Sequence, residues 1–403
     1  MAGGSGAKKR ARRRPNPAAL LTDDLLVEIL TRVPYRSLCR FRCVSTRWRA
    51  LIAHPDHRAR LPQTLTGFLY GTGCARYGFA NVSAAGLDYG FANVSGTEAP
   101  FIDAAFSFLP DREREHIMLV DCCNGLLLCR SYRFAEVGEF DYLVLNPATE
   151  KWVAVPGTRR WWNKVQTVRL GFDPAVSPHF YVFEFQSSFD DDGDDDDDTH
   201  VLGVKIYSSA TGVWIHKQNK WIMQISLHTD FKSVFLDGVL YVSAIGDIEF
   251  VIGAVDVEGE TWRIIKIPRS KCSLFSETSP AFIDLSQGQL HLANVDDMVG
   301  DKLAIYVRED KDSVEWTLKH TVSFEHLVGT KNVIFGFLQF IVVAIHPDHN
   351  MVFFVFGLHE KTLRSYDMDS GKVYIIRNLG RCGNEHFLPY VPLFSKTLPD
   401  GGN

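Results

Sequence analysis

The chain has 403 residues, 46% hydrophobic and 23% charged, with a formal net charge of −5. These are globular values with room for a large core. No apolar run reaches the roughly 18 residues a membrane-spanning helix needs; the longest candidate, 333–345, is broken by Gly336 and Gln339 and ends at His346-Pro347-Asp348, so it reads as buried strands.

Residues 1–18 read as a disordered basic tail. Lys8-Lys9-Arg10 and Arg12-Arg13-Arg14 sit among Gly, Ala and Pro. No apolar stretch follows, so a secretory signal is not expected. The cluster fits a nuclear address or a solvated arm. No nucleic-acid recognition motif follows it, so nucleic acid is not an expected partner. The expected location is nucleus and/or cytoplasm. Eight cysteines without C-x-x-C spacing then read as reduced, mostly buried thiols, including the adjacent Cys122-Cys123.

Residues 19–60 read as a helical module. Leu25, Leu26, Ile29, Leu30 and Val33 form an apolar stripe at helical spacing. Thr22 is a candidate N-cap, Asp23 and Asp24 suit the first turn, and Pro34 stops the helix. A second helix is expected over 35–43, with Leu38 and Phe41 inward. Ser45 caps a third, carrying Trp48, Leu51 and Ile52. So few residues cannot hide that much apolar surface among themselves. One reading is a helical subdomain packed on the rest of the chain; the other is a plug for a partner.

The order of residues favours the plug. Asp24-Leu25-Leu26, Glu28-Ile29-Leu30, Arg32-Val33-Pro34, Ser37-Leu38, Phe41-Arg42-Cys43-Val44-Ser45 and Arg47-Trp48-Arg49 followed by Leu51-Ile52 closely resemble the F-box. That motif docks substrate receptors onto the Skp adaptor of Skp–cullin–F-box ubiquitin ligases. The family usually has proline after the first leucine, where this chain has Thr22. The resemblance implies that Leu25, Leu26, Ile29, Leu30, Val33, Pro34, Leu38, Val44, Trp48, Leu51 and Ile52 form or support the adaptor face.

Residues 65–397 read as an all-β region with an internal period. A turn leading into an apolar strand appears at Asn124-Gly125-Leu126, Ser177-Pro178-His179-Phe180, Asp237-Gly238-Val239, Gln287-Gly288-Gln289 and Asp348-His349-Asn350-Met351. Each is followed by a polar turn and a large aromatic: Trp152, Trp214, Trp262, Trp316 and Tyr374. The units start roughly 50 to 60 residues apart, the period of kelch-like propeller blades. One small antiparallel sheet cannot bury both faces, but a ring of them can. Five units are visible. Gly67-Phe68-Leu69-Tyr70 and Phe106-Ser107-Phe108 are candidates for a sixth, completed by the segment 387–394. The region also resembles the β-propeller associated with plant F-boxes, through Leu145-Asn146-Pro147-Ala148-Thr149, Gly171-Phe172-Asp173-Pro174, Ala344-Ile345-His346-Pro347-Asp348 and Leu388-Pro389-Tyr390-Val391-Pro392. The expected fold is therefore α+β multidomain: a small three-helix F-box followed by an all-β propeller of about six blades.

Two features interrupt the period. Tyr77-Gly78-Phe79-Ala80-Asn81-Val82-Ser83 recurs unchanged over 89–95, and reads as a tandem duplication inside a loop or hairpin. Eight aspartates at 190–192 and 194–198 repel one another, so 186–200 reads as a disordered acidic insertion between strands. Residues 398–403 read as a disordered tail.

No H-E-x-x-H, G-x-S-x-G, P-loop or Rossmann fingerprint is present. His346 and His349 flank a turn but have no further ligand at metal spacing. No cofactor is expected. For recognition, Arg160 and Trp161 in Thr158-Arg159-Arg160-Trp161-Trp162 are the best candidates, being residue types enriched at binding hot spots; the same tryptophan also suits a blade core. The resemblance implies a non-catalytic receptor: helices on a Skp-type adaptor and through it a cullin, propeller on a target protein. A scaffold outside any ligase, and a propeller enzyme or glycan-binding module, are the alternatives.

Overall fold

The computed structural model describes residues 21–33, 41, 45–54, 57, 65–71, 89–94, 100, 102–111, 117–132, 139–156, 160–161, 167–187, 200–227, 232–246, 249–268, 281–296, 302–310, 315–330, 340–358, 360–380, 387–394 and 398. Two compact units make up the chain, 1–62 and 63–403.

The first unit contains α1 (Asp23–Thr31) and α2 (Thr46–Ala53). Thr22 caps α1 by accepting from Leu25 N, and Ser45 caps α2 by accepting from Trp48 N at 3.1 Å. The expected second helix lies outside the described residues apart from Phe41, which is helical. The basic tail also lies outside them.

The second unit opens with β1 (Gly67–Gly71) and β2 (Tyr89–Asn93). A sheet follows of β3 (Ile117–Cys123), β4 (Leu126–Tyr132), β5 (Glu139–Asn146) and β6 (Lys151–Ala154), with β7 (Arg160–Trp161) added to β5. The next is β8 (Val168–Phe172), β9 (Phe180–Ser187), β10 (Val201–Ser208) and β11 (Val213–Gln218). Then come β12 (Ile225–Ser226) and β13 (Ser233–Leu236), both on β14 (Val239–Gly246), with β15 (Phe250–Asp256) and β16 (Trp262–Lys266). The fifth sheet is β17 (Phe282–Ser286), β18 (Gln289–Asp296), β19 (Lys302–Arg308) and β20 (Thr317–Ser323), followed by the short helix α3 (Phe324–Val328). The sixth is β21 (Phe340–Ile345), β22 (Met351–Phe356), β23 (Lys361–Asp367) and β24 (Lys372–Gly380). The last strand, β25 (Leu388–Tyr390), returns to β1 and completes the first sheet in the order β2-β1-β25, with Phe68 opposite Pro389.

These six sheets are blades. Their inner strands touch in a closed circuit, β25 to β3, β8, β13, β17, β21 and back to β25. The core is accordingly six wedges, one between each pair of neighbouring blades. Leu126, Val144, Phe172 and Val182 fill the wedge between the second and third blades, and Phe68, Val343, Phe353 and Leu363 the wedge between the sixth and first. Polar side chains staple neighbouring blades together. Asp121 accepts from Leu170 N at 2.8 Å, Ser243 donates to Ala281 O at 3.1 Å, and Asp284 accepts from Ile345 N at 3.0 Å. Arg377 donates to Phe91 O at 3.1 Å, tying the sixth blade to the first.

The repeating signatures have direct structural causes. Asn124-Gly125, Asp237-Gly238 and Gln287-Gly288 each place two successive residues at positive φ, the turn that matches strand twist in a two-residue hairpin. The recurring aromatics sit within two residues of the start of the outer strand. Trp214 donates to Pro156 O at 2.8 Å and Trp316 to Lys266 O at 2.9 Å, in each case a carbonyl of the preceding blade.

One expectation is corrected. Phe106-Ser107-Phe108 is not a strand: Asp103 accepts from Ala105 N and Ser107 N, which winds the segment into a turn and seats Phe106 in the wedge between the first two blades. The second copy of the duplicated heptapeptide supplies β2, paired antiparallel to β1 with Phe91 and Ala92 buried. The first copy and the acidic run lie outside the described residues, as do 399–403.

Candidate functional site

The first unit offers a face built by α1. Leu26 and Val27 turn inward and pack with Leu51, with Leu21 and Trp48 against them. Leu30 and Ile52 are also buried. Leu25 and Ile29, one helical turn apart, face outward at 53% and 44% exposed. Trp48 is half-buried, with Phe41 edge-on to it at a centroid distance of 5.0 Å. Arg47 pairs with Asp23 at 2.7 Å and donates to Leu21 O, tying the start of α2 to the start of α1. Exposed pairs of this kind contribute little stability and act here on orientation.

The residues expected on the adaptor face therefore separate. Leu26, Leu30, Leu51 and Ile52 are interior and hold the helices. Leu25 and Ile29 are presented to solvent, with Val33 and Trp48 partly so. Pro34, Leu38 and Val44 lie outside the described residues. A doubled apolar stripe on one short helix is the signal: one half fills the local core and the other is left over.

In the second unit, Arg160 and Trp161 form the two-residue strand β7, with Phe140 opposite Arg160 and Glu139 opposite Trp161. Their side chains lie outside the described set. Sequence reasoning overlooked the connector after β11, where Ile222 stands 93% exposed beside the buried Trp221. The unbroken run Trp221-Ile222-Met223, between strands and without periodicity, is the trace it leaves in the sequence.

The candidate reactive groups are occupied in packing. Burial pushes the Cys122 thiol up to about 12 and raises Cys123 as well, far from the thiolate a nucleophile needs. Cys123 donates to Phe172 O at 3.3 Å. His346 Nδ1 accepts from Asp348 N at 3.0 Å, and burial, with His349 adjacent, lowers its imidazole to about 4. Among the described residues no group of three His, Cys, Asp or Glu side chains converges as metal ligands.

Comparison with known proteins matches this architecture. The F-box domain profile covers residues 19–59, and the profile described as "F-box protein At3g26010-like, beta-propeller" covers residues 100–387. Among curated proteins of Arabidopsis thaliana, F-box protein At5g07610 is 25% identical over 325 residues, spanning 76% of this chain and 71% of that protein. Putative F-box protein At3g52320 is 24% identical, over 75% of this chain and 72% of its own length. F-box protein DOR is 23% identical over 372 residues, 86% of this chain and 87% of that protein. With an F-box ahead of six closed blades, the chain belongs to the At3g26010-like β-propeller family of F-box proteins.

Proposed function

We propose that the protein is the substrate-recognition subunit of a Skp–cullin–F-box ubiquitin ligase. An F-box joined to a propeller supports a substrate-adaptor role in general. The observation that carries the finer reading is the outward pair Leu25 and Ile29, set on a helix whose own core is already filled by Leu26, Leu30 and Leu51. Apolar side chains displayed this way are offered to a partner. In this reading Leu25, Ile29, Val33 and Trp48 touch the Skp-type adaptor, with Leu26, Leu30, Pro34, Leu38, Val44, Leu51 and Ile52 supporting them. The propeller holds a target protein, with Arg160 and Trp161 as contacts. The chain performs no chemistry and needs no cofactor. It raises the local concentration of the target at the ubiquitin-carrying enzyme. It works in the nucleus and/or the cytoplasm.

Co-purification tests this. The full chain should retain the Skp adaptor and a cullin, and Leu30→Ala with Trp48→Ala should lose both. Failure to retain adaptor would end the receptor reading. Adaptor retained without cullin would favour a scaffold working outside a ligase.

A further inference from the structure

We infer that the outer part of the sixth blade, on its side toward the fifth, is a docking surface for an extended target segment that sets a carboxylate beside an aliphatic side chain, an inference that rests on the receptor reading above. Three neighbouring strands build the surface. On β22, Phe354 and Phe356 face the wedge that Leu303, Ile305 and Val322 of the fifth blade fill from the other side. On β23, Arg364 stands opposite Phe354, and Thr362 opposite Phe356. On β24, Ile375 stands opposite Arg364. Side chains directly opposite in adjacent antiparallel strands share one face, with Cβ atoms about 5 Å apart. Phe356, Arg364 and Ile375 are therefore one continuous strip. Exposure rises along it: Phe354 is fully buried, Phe356 and Arg364 are half-buried, and Ile375 is 68% exposed.

Arg364 is fixed in place without being neutralised. Its Nε donates to Thr362 Oγ1 at 2.9 Å, and that hydroxyl donates in turn to Phe356 O at 3.2 Å. The guanidinium carbon lies 5.3 Å from the centre of the Phe356 ring. These contacts hold the guanidinium in one orientation, so little freedom is lost when an anion meets it. Among the described residues no carboxylate pairs with Arg364; Glu360, exposed in the turn just ahead of β23, does not. Burial disfavours the charge, so an anion seated on it gains more than it would on a fully solvated arginine.

Charge and shape select the occupant. The fork of N–H donors matches the two oxygens of a carboxylate. Beside it, Ile375 is apolar surface that gains by being covered. In an extended segment, side chains two apart share a face and lie roughly 7 Å apart, a spacing that reaches from Arg364 to Ile375. The segment that fits therefore has Asp or Glu followed two residues on by Leu, Ile or Val. A single guanidinium flanked by isoleucine does not suit nucleic acid, whose binding rests on several phosphates met at once.

The test uses the full chain and short fluorescein-labelled peptides: one built on the repeat Glu-Ser-Leu-Ser, one with Gln for Glu, and one with Ser for Leu. The first should bind, more weakly as salt rises, and the others should not. A labelled oligothymidylate should not bind either. Ile375→Ser should weaken peptide binding about tenfold without moving the unfolding midpoint, because the side chain is solvent-exposed. Arg364→Gln should weaken it at least as much and remove the salt dependence. Tyr374→Ser is the control: Tyr374 is 48% exposed but stands opposite Ser365, on the other face of β24, so binding should not change. Equal binding of the Gln peptide, no binding of the Glu–Leu peptide, indifference to Ile375→Ser, or an equal loss with Tyr374→Ser would overturn the inference. So would oligothymidylate binding that Arg364→Gln abolishes, since nucleic acid would then be the occupant. Adaptor retention on the same preparations separates the two readings. Adaptor lost with peptide binding intact fails the receptor reading alone; adaptor retained without a preference for Glu fails this surface alone.

Discussion

The two units use apolar residues in opposite ways. In the propeller, Phe68, Phe172, Phe353 and their neighbours are consumed in wedges between blades, and the ring closes on itself through β25. In the F-box unit, a helix of nine residues fills a small core with one side and leaves Leu25 and Ile29 over. A closed ring completes its own interior and leaves recognition to what its rims expose. An open helical pair puts hydrophobic surface itself on offer. The same chemical residue type is stability in one unit and, in the proposed receptor, affinity in the other.

The sharpest way to break the ring half of this comparison is at its closure. Tyr390 is buried among Leu69, Phe91, Ile117 and Leu388. Tyr390→Ala should cost the propeller about 3–5 kcal/mol, read by chemical denaturation. A cost near zero would mean that β25 decorates a ring closed by other means. Gly125 marks the same closure: a Cβ there would lie 2.5 Å from Val391 O, so only glycine lets the C-terminal segment pass.

A smaller effect tests the wedges through pH. His346 stays neutral in the folded ring down to about 4, against an ordinary 6.5 in the unfolded chain. Between those values the unfolded state binds a proton that the folded state refuses. The contribution is therefore fully present above pH 6.5 and is lost as pH falls toward 4, by about 3 kcal/mol. His346→Gln should flatten the stability–pH profile in that window. An unchanged slope would place the uptake elsewhere.

In the F-box unit the expected effects shrink, since its helices rest on local caps. Ser45→Ala should cost about 1 kcal/mol of α2 stability, followed by hydrogen exchange at Trp48 N. The smallest effect belongs to the duplication. Deleting residues 77–88 leaves one intact copy to make β2, so the unfolding midpoint should not move; a large drop would mean that both copies serve the first blade.

Much of this fold was legible because its signals are local. Asn124-Gly125 and Asp237-Gly238 announce hairpins through the φ their turns require, and Trp214 and Trp262 recur because each outer strand starts with a ring to bury. What escaped reading was nonlocal. Nothing near Tyr89 says that it starts a strand, because the partners of β2 and β1 include a strand some three hundred residues away. Phe106 looked like a strand residue until Asp103 bent its backbone into a turn. On α1, Leu25, Leu26, Ile29 and Leu30 all belong to one stripe in the sequence. Only the placement of α2 decides that Leu26 and Leu30 face in and Leu25 and Ile29 face out.

The most direct measurement is the affinity of the full chain for a purified Skp-type adaptor, by calorimetry, before and after Leu25→Ser with Ile29→Ser. Both side chains are about half exposed, so folding should be untouched, and affinity should fall more than about tenfold. An unchanged affinity in a folded variant would contradict the account, because the outward pair would then not be what the F-box offers.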